Sequence, residues 1–340
     1  VGVETFDLEE KRLREEITKR GARRVLLQLP EGLKAEAPRL AAVAEEAGAV
    51  AIVSADPCYG ACDLALPDAK SLGADLLVHY GHSEMFPPQP KQVPTIYLEA
   101  RAAVSVREAV EKAMPLLGPW RSVGLATTVQ HIQALGEVEE MLRGAGKRVA
   151  VGEAGGTVKY RGQVTGCDYT AAKAVSGGVE AFLFVGGGRF HAVGVSLATA
   201  RPTVVADPYE GRAYSVEEDV RRILRQRWAS ISEAKEARNF GVLVGLKTGQ
   251  GRMEAALAVK ERLEKAGRRA TLLALREITP ERLLQFPGLD AFVNTACPRV
   301  AMDDASRFPR PVLTVEETLV MLGEKSWEEL YAGGWFERQI

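Results

Sequence analysis

"RRVLLQLPEGL", residues 23–33, runs an apolar stretch, interrupted only by Gln28, into a Pro-Glu-Gly turn. Apolar residues without alternation mark a strand covered on both faces, as in a parallel sheet. The next segment, "APRLAAVAEEAG" (37–48), has the spacing of an amphipathic helix stopped by Gly48. A second strand follows in "AVAIVSADPCYG" (49–60), then a short helical stretch, a third strand in "DLLVHYGHSE" (75–84) and a fourth in "TIYLEA" (95–100). Strands alternating with helices predict a parallel α/β unit.

The order returns twice. "SVGLATTVQH" (122–131) and "IQALGEVEEMLRGAG" (132–146) read as strand and helix, followed by strand "RVAVGEAGG", helix "DYTAAKAVSG" and strands "AFLFVGGGRFH" and "TVVADPY". From residue 240, "FGVLVGLKTGQG", "MEAALAVKERLEKAG", "RATLLALRE", helix "TPERLLQF", "AFVNTACPR" and "VLTVEE" repeat it. The expected fold is α/β: three pseudo-repeated α/β domains, 1–118, 119–235 and 236–340, with parallel sheets arranged around a central site. The boundaries fall near "LGPWRS" (117–122) and "ISEAKEARNF" (231–240).

Bulk properties exclude several classes. A net charge of −1 gives no electrostatic reason to expect nucleic acid or an anionic membrane as partner. No apolar run approaches the about 20 residues that span a bilayer, and "VGVETFDLEEKRLREE" is too charged for a signal peptide. Four cysteines in 340 residues do not make a disulfide framework, and fit a reducing cytoplasm where thiols are buried, metal-bound or catalytic.

The cysteines sit where parallel sheets carry ligand sites, at the C-terminal ends of strands. Cys58 and Cys62, spaced C-x3-C, follow the second strand of the first unit. Cys167 follows the second strand of the second, and Cys297 the third strand of the third. Units packed with these edges inward would bring three thiols to one point. Such a donor set suits zinc with an open position, or an iron–sulfur cluster with one iron free. The C-x3-C-x2-C loop of ordinary radical enzymes is absent, because the x2 step from Cys62 lands on Ala65.

Taken together, "QLPEGL", "YGACD", "VHYGHS", "GQVTGC" and "NTACPRVAMDD" resemble the diphthamide synthase family in its archaeal, single-gene form. The resemblance spans nearly the whole chain. It implies a homodimer of three-domain subunits, each with a 4Fe-4S cluster on Cys62, Cys167 and Cys297. It further implies cleavage of S-adenosylmethionine, as substrate, to a 3-amino-3-carboxypropyl radical. That group joins an imidazole carbon of one histidine of translation elongation factor 2, and 5′-methylthioadenosine is released. Cys58 stands where relatives often carry Thr and is not implied as a ligand. Quinolinate synthase, also pseudo-threefold with one cysteine per domain, is the alternative of the same geometry. A non-catalytic metal-bound scaffold is the alternative of another class.

Other residues are candidate contacts to S-adenosylmethionine. Gln28, Glu31 and Gly32 lie in the first turn, and His82 ends the third strand, while His79 within that strand reads as a core histidine. Gly186, Gly187 and Gly188 allow close backbone approach at the matching edge of the second unit. Lys247 and Gln250 of "GLKTGQG" could hold a carboxylate, although neither this loop nor "VGGGRFH" has the order of a nucleotide-hydrolysing phosphate loop. Asp303 and Asp304 are expected to open a helix, where carboxylates are favoured.

Overall fold

The computed structural model describes residues 5–87, 92–303, 305–333 and 335–336. Arg24–Gln28 lies between Val50–Val53 and Leu76–Tyr80, and Thr95–Leu98 borders Leu76–Tyr80, all parallel. In the second sheet Ser122–Thr127 lies between Arg148–Ala150 and Ala181–Val185, with Thr203–Asp207 beyond. In the third, Asn239–Gly245 lies between Arg269–Leu275 and Ala291–Asn294, with Val312–Thr314 beyond. Each sheet therefore has the spatial order second, first, third, fourth. The chain reverses direction across the sheet beside each first strand, and that reversal opens a crevice at the strands' C-terminal ends.

Central strands such as Leu76–Tyr80 and Ala181–Val185 are buried along their whole length, in keeping with sequences that are apolar but for His79. The first sheet keeps a core of its own around Leu13, Ile17, Leu27 and Leu40. The second and third sheets share one, running from Phe182 and Val195 to Phe240, Leu313 and Trp335. The 18-residue helix Glu217–Ala234 contributes Val220, Ile223 and Ile231 to it.

Four local readings need correction. Strand Ala181–Val185 ends before the three glycines, and Phe190–Thr199 is a helix. Its residues Ala192–Ala198 are buried on every side, which removes the amphipathic stripe that reveals a helix. Arg212–Ser215 adds an antiparallel strand to Thr203–Asp207. "TPERLLQF" yields only the single turn Pro280–Leu283. Asp303 closes helix Pro298–Asp303 rather than opening one, and Asp304 lies outside the described residues.

Candidate metal centre

Cys62, Cys167 and Cys297 line two adjoining cavities of about 570 and 750 Å³, together with Thr157 and Gln250. Each sulfur stands on a loop held by its own hydrogen bonds. The Cys62 turn is closed by Asp63 N–H donating to the Gly60 carbonyl at 2.9 Å. Around Cys167, the Asp168 carboxylate accepts from Thr157 Oγ1 at 2.7 Å and Thr170 N–H at 2.9 Å. Before Cys297, Asn294 Nδ2 donates to the Cys297 carbonyl at 2.5 Å while its Oδ1 accepts from Ala296 N–H at 3.0 Å.

A clamp from the third sheet fixes the first of these loops. Gly249 N–H donates to the Cys62 carbonyl at 2.7 Å. Thr248 Oγ1 donates to the Leu64 carbonyl at 3.0 Å and Gln250 Nε2 to Cys62 Sγ at 3.4 Å. Lys247 Nζ reaches Asp63 at 2.8 Å and Glu277 at 2.7 Å. Four consecutive residues thus meet Cys62, Asp63 and Leu64. Burial alone would lower the Lys247 pKa, but its bonds to the two carboxylates outweigh this and hold it raised. Asp63 is nonetheless pushed up, because its own desolvation exceeds the help from Lys247.

Burial pushes the thiols up too, Cys167 to about 12 and Cys297 to about 11, with the charge of neighbouring thiolates adding to both. Cys62 is also raised by burial, against the hydrogen bond from Gln250. Three thiols that repel one another's ionisation lie close together, and a cationic metal centre relieves that repulsion by binding them as thiolates. The soft, three-sulfur donor set fits an iron–sulfur cluster with one iron left for substrate.

Of the candidate contact residues, Gly32, His82, Lys247 and Gln250 line the smaller cavity with the three cysteines. Gln28 does not. Its Nε2 donates to the Asp63 carbonyl at 2.6 Å, and its Oε1 accepts from Ala65 N–H at 3.1 Å and faces His79 Nδ1 at 2.9 Å. With the amide so occupied and buried, Gln28 braces the site instead of touching a ligand. Glu31 points to Lys34 and the Cys58 N–H, away from the cavity. Gly186, Gly187 and Gly188 are not among the lining residues; a Cβ at Gly187 would meet Tyr209 at 2.8 Å, so that glycine serves packing. His79 is fully buried between Gln28 and His82.

Cys58 is buried beside the cavity, and its sulfur lies within 4.8 Å of a ring nitrogen of His79 and of His82. Arg299, on the helix after Cys297, was not singled out from sequence. It lines the cavity with its guanidinium 3.8 Å from the Phe190 ring centroid. The signal was present in "ACPR", where it read as part of a cysteine motif.

Comparison with known proteins adds the family. The diphthamide synthesis protein family model matches residues 29–332. A 2-(3-amino-3-carboxypropyl)histidine synthase of Pyrococcus horikoshii is 40% identical over 324 residues, 94% of this chain and 92% of that protein. The human 2-(3-amino-3-carboxypropyl)histidine synthase subunit 1 is 31% identical over 314 residues, 91% of this chain and 70% of the relative. The crystal structure of Dph2 from Pyrococcus horikoshii with a 4Fe-4S cluster superposes with a TM-score of 0.87 at 36% identity, covering 98% of this chain and 96% of that one. Model, relatives and solved structure agree over nearly the whole length, and the chain belongs to the diphthamide synthesis family.

Proposed function

We propose that this chain is a 2-(3-amino-3-carboxypropyl)histidine synthase, catalysing the first step of diphthamide biosynthesis. In this reading it holds a 4Fe-4S cluster on Cys62, Cys167 and Cys297 and takes S-adenosylmethionine as substrate. It transfers the 3-amino-3-carboxypropyl group by a radical route to an imidazole carbon of one histidine of translation elongation factor 2. The observation that carries the reading is the meeting of three cysteines, from three sheets of identical strand order, at one cavity. The relatives' names and the cluster in the solved neighbour support it. When bound, the cluster would supply an open iron and the electron that a sulfonium needs for carbon–sulfur cleavage. The chain's own part is to hold the thiolates at fixed spacing and to offer two approaches to them, one through each cavity.

The test is anaerobic reconstitution with iron and sulfide, reduction with dithionite, and incubation with S-adenosylmethionine and elongation factor 2. Methylthioadenosine and a mass gain of one aminocarboxypropyl group are expected. 5′-Deoxyadenosine as main product, or an unchanged factor beside an active control enzyme, would overturn the reading. Turnover without S-adenosylmethionine would favour a quinolinate-synthase-like condensation. The same proposal includes a cytoplasmic setting, where translation occurs, and a homodimer, checked by light scattering for twice the 36.8 kDa chain mass. It also includes domains 1–118, 119–235 and 236–340, each enclosing one of the three sheets of shared strand order. Limited proteolysis should first cut at their boundaries; first cuts inside a sheet would count against them.

A further inference from the structure

We propose that His82 Nε2 is the base that accepts the proton displaced from the substrate imidazole, an inference that rests on the reaction proposed above. In that reaction one S–C bond and one C–H bond break, and one C–C bond forms. The sulfonium becomes a neutral thioether, and its positive charge leaves as a proton. The balance is the same whether the S–C bond breaks by one electron or two, so a proton acceptor is needed in either case and no net oxidant is consumed.

The heavy-atom network dictates where the protons of the two histidines sit. Gln28 cannot be flipped: its Nε2 faces a carbonyl and its Oε1 a backbone N–H, at Asp63 and Ala65. Gln28 Oε1 therefore accepts from His79 Nδ1, which must carry hydrogen. His79 is fully buried and neutral, so its Nε2 is bare. That nitrogen lies 3.0 Å from His82 Nδ1 and accepts its proton. His82 is neutral as well, its pKa lowered to about 4 by burial against the opposing pull of the Tyr80 carbonyl and Glu31. Its Nε2 is consequently a bare lone pair. Among the described residues no side chain hydrogen-bonds Nε2, it is not one of the sealed, unpartnered atoms, and the ring lines the cavity of the three thiols. A weak base suffices, because a carbon-bound proton on a ring that has taken up the sulfonium's charge is strongly acidic.

His191 is the rival base, since it lines the same cavity. It packs against Phe184 and Phe190, and Arg299 adds to the burial that lowers it, which opposes a second positive charge there. At His82 the nearby negative charge of Glu31 acts the other way and favours one.

Two measurements test the inference. The first is independent of the reaction: ¹⁵N spectra of the four histidine rings in the full, metal-free chain, each assigned by single substitution. A pyridine-type Nε2 and pyrrole-type Nδ1 are expected at His82, and a pyrrole-type Nε2 would overturn the proposal. One equivalent of zinc retained by the Cys62→Ser/Cys167→Ser/Cys297→Ser chain but lost with His82→Gln would overturn it too, because a metal on Nδ1 leaves the proton on Nε2. The second uses the reconstituted enzyme. In His82→Gln the ratio of modified histidine to methylthioadenosine should fall about 10²-fold, with iron content retained. A deuterium effect from the substrate imidazole carbon, absent in the parent, should appear. In His191→Gln the ratio should hold. An unchanged ratio in His82→Gln would overturn the assignment. An inactive parent would instead count against the proposed reaction, with the ¹⁵N result still deciding the proton placement.

Discussion

Cys58 and Cys62 share one loop and differ in what surrounds them. Cys62 accepts from Gln250 and opens on both cavities, whereas Cys58 is buried beneath, its pKa pushed to about 12 chiefly by burial and then by Asp63 and Glu31. Replacing Cys62 by Ala removes one of three anchors and should abolish most of the iron and acid-labile sulfide retained per chain. Cys58→Thr, nearly equal in volume, should keep both, so the reverse ranking would show that the wrong thiol is named. Gln28→Leu tests the corrected role of that side chain. It strands a carbonyl, an N–H and His79 Nδ1 in the interior, at a cost of about 1–3 kcal/mol for each such group left unsatisfied. Urea unfolding should register that loss, and a stability change near zero would contradict the bracing role.

Two contacts between elements hold the centre together. The 247–250 loop lies on the Cys62 loop so closely that a Cβ at Gly249 would meet Cys62 Cα at 2.7 Å and Phe86 at 2.7 Å. Gly249→Ala must therefore move the cysteine backbone, and iron uptake should fall several-fold while circular dichroism stays that of the parent; full iron uptake would show that the clamp does not position Cys62. The second contact is Arg227, fully buried on helix Glu217–Ala234. It bonds Glu317 through Nε at 2.7 Å and Nη2 at 2.6 Å, and the carbonyls of Ala301 and Val312 at 2.6 and 2.7 Å. Ala301 belongs to the helix that follows Cys297, and Glu317 also closes the capping box of helix Val315–Leu322. Arg227→Met leaves Glu317 charged and unpaired, which costs about 3–5 kcal/mol. Thermal unfolding should show it as a clear drop, and a variant as stable as the parent would mean the pair is not structural.

Across the whole molecule, burial lowers the pKa of all four histidines, His79 well below its ordinary value, His82 and His131 to about 4 and His191 to about 3. Folded pKa values below the unfolded 6.5 mean that the unfolded chain binds more protons as pH falls. The histidines' contribution to stability is therefore full above pH 6.5 and declines towards about 4, by about 1.4 kcal/mol per pH unit for each histidine. The urea midpoint of the metal-free chain should be level between pH 6.5 and the onset of thiol ionisation towards 9.0, and drop steeply between pH 6.5 and 5; a level midpoint over the lower window would show that the histidines are hydrated. The three α/β units and the sheet edges bearing Cys62, Cys167 and Cys297 were legible in sequence, because periodicity and strand-end placement are local properties of neighbouring residues. The helix Phe190–Thr199 was not, since burial on every side over Ala192–Ala198 erases the amphipathic period. Nor was the clamp, whose partners stand 184 to 188 positions apart and carry no shared pattern. The same holds for the inward turn of Gln28 and the proton order along Gln28, His79 and His82. Those depend on which backbone groups packing brings alongside an amide, and only the folded chain decides that.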